Sequence, residues 1–158
     1  MTLDRASYLA EAYTLGVEGA PPLVYSQLDL RDRPDHPDHR FALALQPGAV
    51  TAVVGDEDSG VGDLGRYALG LDFPRSGDVL VFGSSMRGLS YRQLLVLEQP
   101  FDGLTARAAH DLLNRVRYRK DNAPRTILIT AQDLGTNVLS LVDRCIQCVD
   151  GLAVEGTR

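Results

Sequence analysis

Apolar positions along this chain switch between a helical and a two-residue period, and the switches mark out its elements. Residues 2 to 15 place Leu3, Tyr8, Leu9, Ala12, Tyr13 and Leu15 at loosely helical spacing, and the stretch from Gly16 to Pro22 ends that pattern. This predicts a helical arm over 1–22, amphipathic enough to lie on a partner or on the chain's own sheet. LVYSQLDLR then alternates as a strand, RDRPDHPDH is a turn rich in Pro and Asp, and FALALQ alternates again, so the three together read as a β-hairpin. AVTAVVG is a continuous apolar strand. Val61 to Leu71 puts Leu64, Ala68 and Leu71 on one helical stripe, Pro74 and Gly77 break it, and DVLVFG is the next strand.

The second half repeats the alternation. LLVLE is an apolar strand ending in acid, and Pro100 and Gly103 stop it before a helix that starts near Thr105 and is expected to bury Ala109, Leu112, Leu113 and Val116. Pro124 separates that helix from the buried strand TILITA. LGTNVLSLV makes a short helix, and RCIQCVDGLAVEG reads as a closing hairpin that turns at Asp150-Gly151. Strands alternating with helices predict an α/β domain over 23–158, with a mostly parallel central sheet flanked by helices and an antiparallel N-terminal β-subdomain.

Composition narrows the function classes. The 158 residues are 44% hydrophobic and 23% charged, which suits one globular domain. A net charge of −5 supplies no field for nucleic acid or anionic lipid, and Arg115, Arg117, Arg119 and Lys120 read as a solvated helix end. Cys145 and Cys148 have C-x-x-C spacing but sit in an alternating apolar run with no second pair for zinc, so they read as structural. Asp35, His36, Asp38 and His39 are interleaved with prolines and read as a turn. His110 reads as a surface residue. No apolar run approaches a membrane span, so a cytoplasmic location is expected, with any approach to the inner membrane made through a partner.

The chemistry concentrates between Val50 and Gly83. Gly55 and Gly60 stand at the spacing of the phosphate-binding loop G-x-x-x-x-G-K-[ST], after a strand and before a helix, but Val61 takes the lysine position and Gly62 the hydroxyl position. Gly55, Ser59, Gly60, Val61, Gly62 and Asp63 are therefore the candidate cofactor-binding residues of a degenerate loop. Asp56, Glu57, Asp58 and Asp63 crowd it with negative charge. A carboxylate ~4 Å from a phosphate repels it by ~1 kcal/mol even at water-like dielectric, and by several times more when partly buried.

These segments, in this order, resemble the ATP-binding cassette (ABC) ATPases, the nucleotide-binding subunits of ABC transporters. LALQPGAVTAVVG resembles the strand entering Walker A, and LGLDFPRSGDVLVFG the helix end, Pro-x-x-Gly turn and strand that follow. LLVLEQPFDGLT resembles Walker B running into the D-loop, TILITAQDL the switch strand, and DRCIQCVDGLAVEGT the C-terminal hairpin. The resemblance implies ATP and magnesium as cofactors. It also assigns Glu98 to the magnesium-directing position, Gln99 to the catalytic glutamate and Gln132 to the switch histidine. Glutamine cannot take a proton at physiological pH. Glu98 reads either as a magnesium ligand or as a strand-end acid capping a nearby amide. The adenine-stacking aromatic that the resemblance implies after the first strand is not evident in RDRPDHPDH, and Tyr25 or Phe41 is the candidate to lie nearby.

Gln93 abuts Leu94, where the family carries a Q-loop, a helical subdomain and the LSGGQ signature. Leu89 to Gln93 echo that signature only superficially, because Tyr91 and Arg92 replace its small residues. The expected function is a degenerate nucleotide-binding domain that does not hydrolyse ATP and serves as a structural or regulatory subunit of an ABC transporter-like complex. Its expected partners are a copy of itself, an active ATPase or a permease complex. The alternatives are an ATP-binding component whose catalysis a partner completes, and a truncated remnant without function.

Overall fold

The computed structural model describes residues 21–30, 39–81, 84–85, 94–118 and 124–156. Most of the arm expected over 1–22, the residues Asp35, His36, Asp38, Arg119 and Lys120, and the LSYRQ segment lie outside these. Nine strands form two sheets among the described residues. Strands β1 (Leu23–Leu28), β2 (Phe41–Ala44), β4 (Asp78–Val81) and β5 (Ser84–Ser85) make an antiparallel sheet in the order β2-β1-β4-β5. Strands β3 (Val50–Val54), β6 (Leu94–Glu98), β7 (Thr126–Ala131), β8 (Arg144–Val149) and β9 (Leu152–Glu155) make the other, in the order β6-β7-β3-β8-β9. Its pairings are parallel except that between β8 and β9. The expected α/β class, parallel centre and antiparallel N-terminal subdomain are all present.

Helix α1 (Val61–Ala68) lies between the sheets, while α2 (Ala106–Val116) and α3 (Thr136–Leu139) cover the opposite face of the parallel sheet. Every residue of β7 is buried and β3 is buried from Val50 to Val53, as a strand covered on both faces requires. The apolar side chains divide by strand parity. Val53, Leu128, Ile146 and Cys148 join Leu64, Ala68, Tyr25 and Phe41 around α1, whereas Ala52, Ile127, Ile129 and Cys145 join Ala109 and Leu113 under α2. Cys145 and Cys148, three residues apart on one strand, thus enter different cores as free thiols. Burial, and secondarily the Glu155 carboxylate, raises the Cys145 pKa and keeps that thiol protonated.

Local chemistry sets the ends of these elements. Thr105 caps α2 by accepting a hydrogen bond from Ala108 N at 3.2 Å. The β8–β9 hairpin turns where expected, with Asp150 at φ 49° and Gly151 at φ 78°, the pair of positive angles of a type I′ turn. His39 Nδ1 donates to the Asp150 carbonyl at 2.9 Å, so the one described histidine of the Asp/His-rich stretch latches this turn. Asp143 Oδ2 accepts from Val50 N at 2.7 Å and anchors the start of β3. Arg144 pairs with Glu155 and donates to the Ala44 carbonyl at 3.1 Å, which ties the two sheets together.

Several expectations are corrected. Leu71 lies beyond the end of α1 and is 66% exposed, because the chain leaves the helix through Gly70 at φ 67°. On α2 only Ala109 and Leu113 are fully buried, and Leu112 and Val116 are half-buried at the margins of the stripe. Arg117 is no solvated helix end, since its Nη2 donates to the Leu141 carbonyl at 2.8 Å. Neither Tyr25 nor Phe41 is available to stack on a ligand. Both are fully buried, with ring centroids 5.8 Å apart in an edge-to-face arrangement.

Tyr25 also donates its hydroxyl to the Leu64 carbonyl of α1 at 2.6 Å, and burial holds its pKa well above the ordinary phenol value. Tyr25→Phe should lower stability by about 1 kcal/mol in urea denaturation at neutral pH. Because the folded pKa is raised, the tyrosine's contribution is complete below the unfolded phenol range near pH ~10 and is lost as pH climbs through the folded value. The deficit of the variant should therefore shrink in alkaline solution. A deficit that is constant with pH would contradict the buried, neutral phenol.

Candidate functional site

Parallel pairing brings three strand ends to one place. Register sets Val54 beside Ala131 and Glu98 beside Thr130, so the segments leaving β3, β6 and β7 line a common cleft of about 150 Å³ at the carboxyl edge of the sheet. Gly55, Asp56, Glu57, Val61 and Gly62 form one wall. Glu98, Gln99, Thr130, Ala131 and Gln132 form the other. The predicted loop residues Gly55, Val61 and Gly62 and the predicted strand-end residues Glu98, Gln99 and Gln132 are thereby brought together.

The loop from β3 to α1 is held by its own hydrogen bonds. Gly55 N donates to the Ala131 carbonyl at 3.1 Å. Asp56 O accepts from Ser59 N at 3.0 Å and from Ser59 Oγ at 2.7 Å, and Ser59 Oγ in turn accepts from Val61 N at 3.2 Å. Ser59 is 4% exposed and faces the loop interior. Its carbonyl lies 3.6 Å from Cys148 Sγ, which ties the loop to β8. Gly60 begins the helix at φ 84°, ψ 6°, a left-handed conformation that disfavours any Cβ. A Cβ there would also meet the Leu30 carbonyl oxygen at 2.9 Å.

Side chains on this loop point two ways. Val61, at the lysine position, is 4% exposed and belongs to the core around α1. Gly62 is open: a Cβ would meet nothing nearer than Glu98 Oε1 at 3.9 Å. Asp56, Glu57 and Asp58 are exposed, and Asp63 is half-buried in the first turn of α1. Tyr67, one turn further on, has its pKa raised by burial and then by the carboxylates of Asp63 and Asp72. None of the ion pairs among the described residues reaches Asp56, Glu57 or Glu98.

On the other wall Glu98 is exposed at the end of β6. Gln99 turns the chain with φ 45°, held by its amide donating to the Thr130 carbonyl at 2.8 Å. Its Oε1 accepts from Gln132 N at 3.4 Å, a long contact that joins the two glutamines across the strand ends. Among the described residues no group of three or more His, Cys, Asp or Glu side chains is placed to hold a metal ion. One residue had escaped notice. Thr130 is 1% exposed on the strand face that carries Glu98, and its Oγ1 has no hydrogen-bond partner. Its signal in the sequence is a second hydroxyl inside the apolar run TILITA, whose other threonine, Thr126, accepts from Gly48 N at 3.0 Å.

Comparison with known proteins bears on the fold. Over 98 residues, 59% of the chain, it is 32% identical to the mycobactin import ATP-binding/permease protein IrtA of Mycolicibacterium smegmatis. That match takes in only 11% of IrtA's length. The fold is shared with CbiO1 of Clostridium perfringens, part of the ABC transporter complex CbiONQ, at TM-score 0.67 and 13% identity over 86% of this chain and 88% of that one. It is shared with the ADP conformation of MJ1267, an ATP-binding cassette of an ABC transporter, at TM-score 0.67 and 14% identity over 86% and 91%. A bacterial Atm1-family ABC exporter with ATP bound gives TM-score 0.68 and 13% identity over 89% of this chain and 39% of the exporter. No protein-family model matches the chain. The chain therefore has the fold of an ABC ATPase nucleotide-binding domain.

Gly60→Ala should destabilise the domain by about 1–3 kcal/mol, from the left-handed backbone and the close Leu30 carbonyl. A urea titration checks it, and a midpoint equal to that of the unmodified chain would mean that the loop relaxes freely.

Proposed function

We propose that the chain is a degenerate ABC-type nucleotide-binding domain that does not hydrolyse ATP and acts through protein contacts as a structural or regulatory subunit of an ABC transporter-like complex. The observation that carries this reading is the position of Val61. Its side chain is absorbed into the core around α1 at the very point where the fold's ATPases need an ammonium, and the loop beside it bears Asp56, Glu57 and Asp58. A polyphosphate placed there would meet carboxylates, and Val61 offers it no countercharge. Gly62 offers no hydroxyl for magnesium, and Val61 N is already bonded to Ser59 Oγ. The side chains present do not fit a magnesium nucleotide.

The strand ends support the same conclusion. Gln99 and Gln132 can hydrogen-bond but cannot exchange a proton near neutral pH, and the Gln132 backbone amide donates to Gln99 Oε1 along the same wall of the cleft. In this reading Glu98 is a strand-end acid, and any approach to a membrane is made through a partner. No helix among the described residues is long and apolar enough to cross one. The second reading, an ATP-binding component completed by another subunit, draws on the amide of Gly62 at the start of α1, which can still favour an anion; that of Asp63 already donates to the Gly60 carbonyl at 3.1 Å.

Calorimetric titration with ATP and magnesium separates the two. The unmodified chain should give no saturable heat at millimolar nucleotide, and Val61→Lys with Gly62→Ser should acquire binding, since space beside Gly62 admits a side chain. Saturable binding by the unmodified chain, or ATP hydrolysis that disappears in Glu98→Gln, would overturn the proposal.

A further inference from the structure

Resting on that reading of a cleft closed to nucleotide, we infer that the same cleft accepts an arginine side chain from a partner protein. Asp56, Glu57 and Glu98 line it, and no cation of the described residues pairs with them. The described arginines with recorded partners are engaged elsewhere: Arg40 with Asp29, Arg66 with Asp72, Arg117 with Leu141, Arg125 with Val116 and Arg144 with Glu155.

The independent sign of a ligand is Thr130. A hydroxyl that is buried without a partner costs about 1–3 kcal/mol, and this one belongs to a residue lining the cleft, on the face and at the register position of Glu98 and beside Gly65 of α1. It can accept one N–H from an entering group while Glu98 accepts others. A guanidinium suits this arrangement better than an ammonium. Its planar fork presents five donors in fixed directions, it is weakly hydrated and it stays charged when partly desolvated. A cleft of about 150 Å³ receives such a head group with its carboxylate partners at the rim. A metal ion is a poorer occupant, because no cluster of three ligating side chains is assembled among the described residues.

The test uses the full chain and a fluorescein-labelled tetra-arginine peptide, followed by anisotropy at low ionic strength, with a tetra-lysine peptide alongside. Saturable binding of the arginine peptide is expected, roughly tenfold weaker in Glu57→Gln/Glu98→Gln, as loss of charge-assisted bonds implies. Thr130→Val should weaken it about threefold at an unchanged or higher melting temperature, because no internal bond is lost. Asn at the exposed acids Asp102 and Asp111 should leave it unchanged. Equal binding of both peptides, or equal weakening in the Asp102/Asp111 variant, would reduce the effect to diffuse charge and overturn the inference. So would a Thr130→Val protein that melts lower yet binds unchanged. If neither arginine peptide nor ATP binds, the inference falls and the non-hydrolysing reading stands. If ATP binds and the peptide does not, both fall.

Discussion

Everything in this domain depends on burying α1 between two sheets. Eight residues make too short a helix to persist alone in water, so its existence is a tertiary effect. Val61, Leu64, Gly65, Tyr67 and Ala68 are all buried, against the parallel sheet on one side and the antiparallel sheet on the other. Gly65 is part of the reason the helix sits close, since a Cβ there would meet Val96 Cγ1 at 3.4 Å. The Tyr25 hydroxyl on the Leu64 carbonyl then fixes the helix to β1 from the far side. The two sheets thus share one core around this short element, and the Arg144 bond to the Ala44 carbonyl joins them directly.

That constraint dictates the form of the cleft. With β3 buried in the middle of its sheet and α1 held close above it, the chain must reverse within a few residues, and the left-handed Gly60 achieves this against the Leu30 carbonyl. The loop shape thus belongs to the packing of the domain as much as to any ligand. Its hydrogen bonds run among Ser59, Asp56 and Val61 and to the Ala131 carbonyl. Such a loop can lose its binding side chains and keep its path.

Much of the fold was legible in the sequence, because the signals were local. The Pro/Asp turn between alternating runs marked the β1–β2 hairpin, Asp150-Gly151 marked the I′ turn, and the unbroken apolar runs of β3 and β7 marked strands covered on both faces. Sheet membership was not local. DVLVFG follows α1 in the chain, yet β4 pairs with β1 in the antiparallel sheet, a choice made by a distant strand that its own pattern does not reveal. Side-chain direction was likewise hidden. An aromatic near a nucleotide position reads as a stacking platform until Tyr25 and Phe41 are found facing the core. At the site, glycine spacing identified Gly55 and Gly60 and the family resemblance pointed to Glu98, Gln99 and Gln132, whereas the burial of Val61 and the orphaned hydroxyl of Thr130 required coordinates.

The acidic loop is consistent with its setting on energetic grounds. Carboxylates at a helix N-terminus gain about 0.3–1 kcal/mol each from the helix dipole, so Asp63 in the first turn of α1, and the acids just ahead of it, stabilise the end they occupy. In an ATP-binding loop that same dipole is reserved for phosphate, and side-chain acids would compete with the ligand for it. On the function proposed above, the chain's own acids take the place of phosphate at that dipole, and their charge, with the unpartnered Thr130 hydroxyl, complements a donor-rich cation. In the proposed reading the inversion of charge at the loop, more than the absence of any one catalytic group, separates this cleft from a nucleotide site.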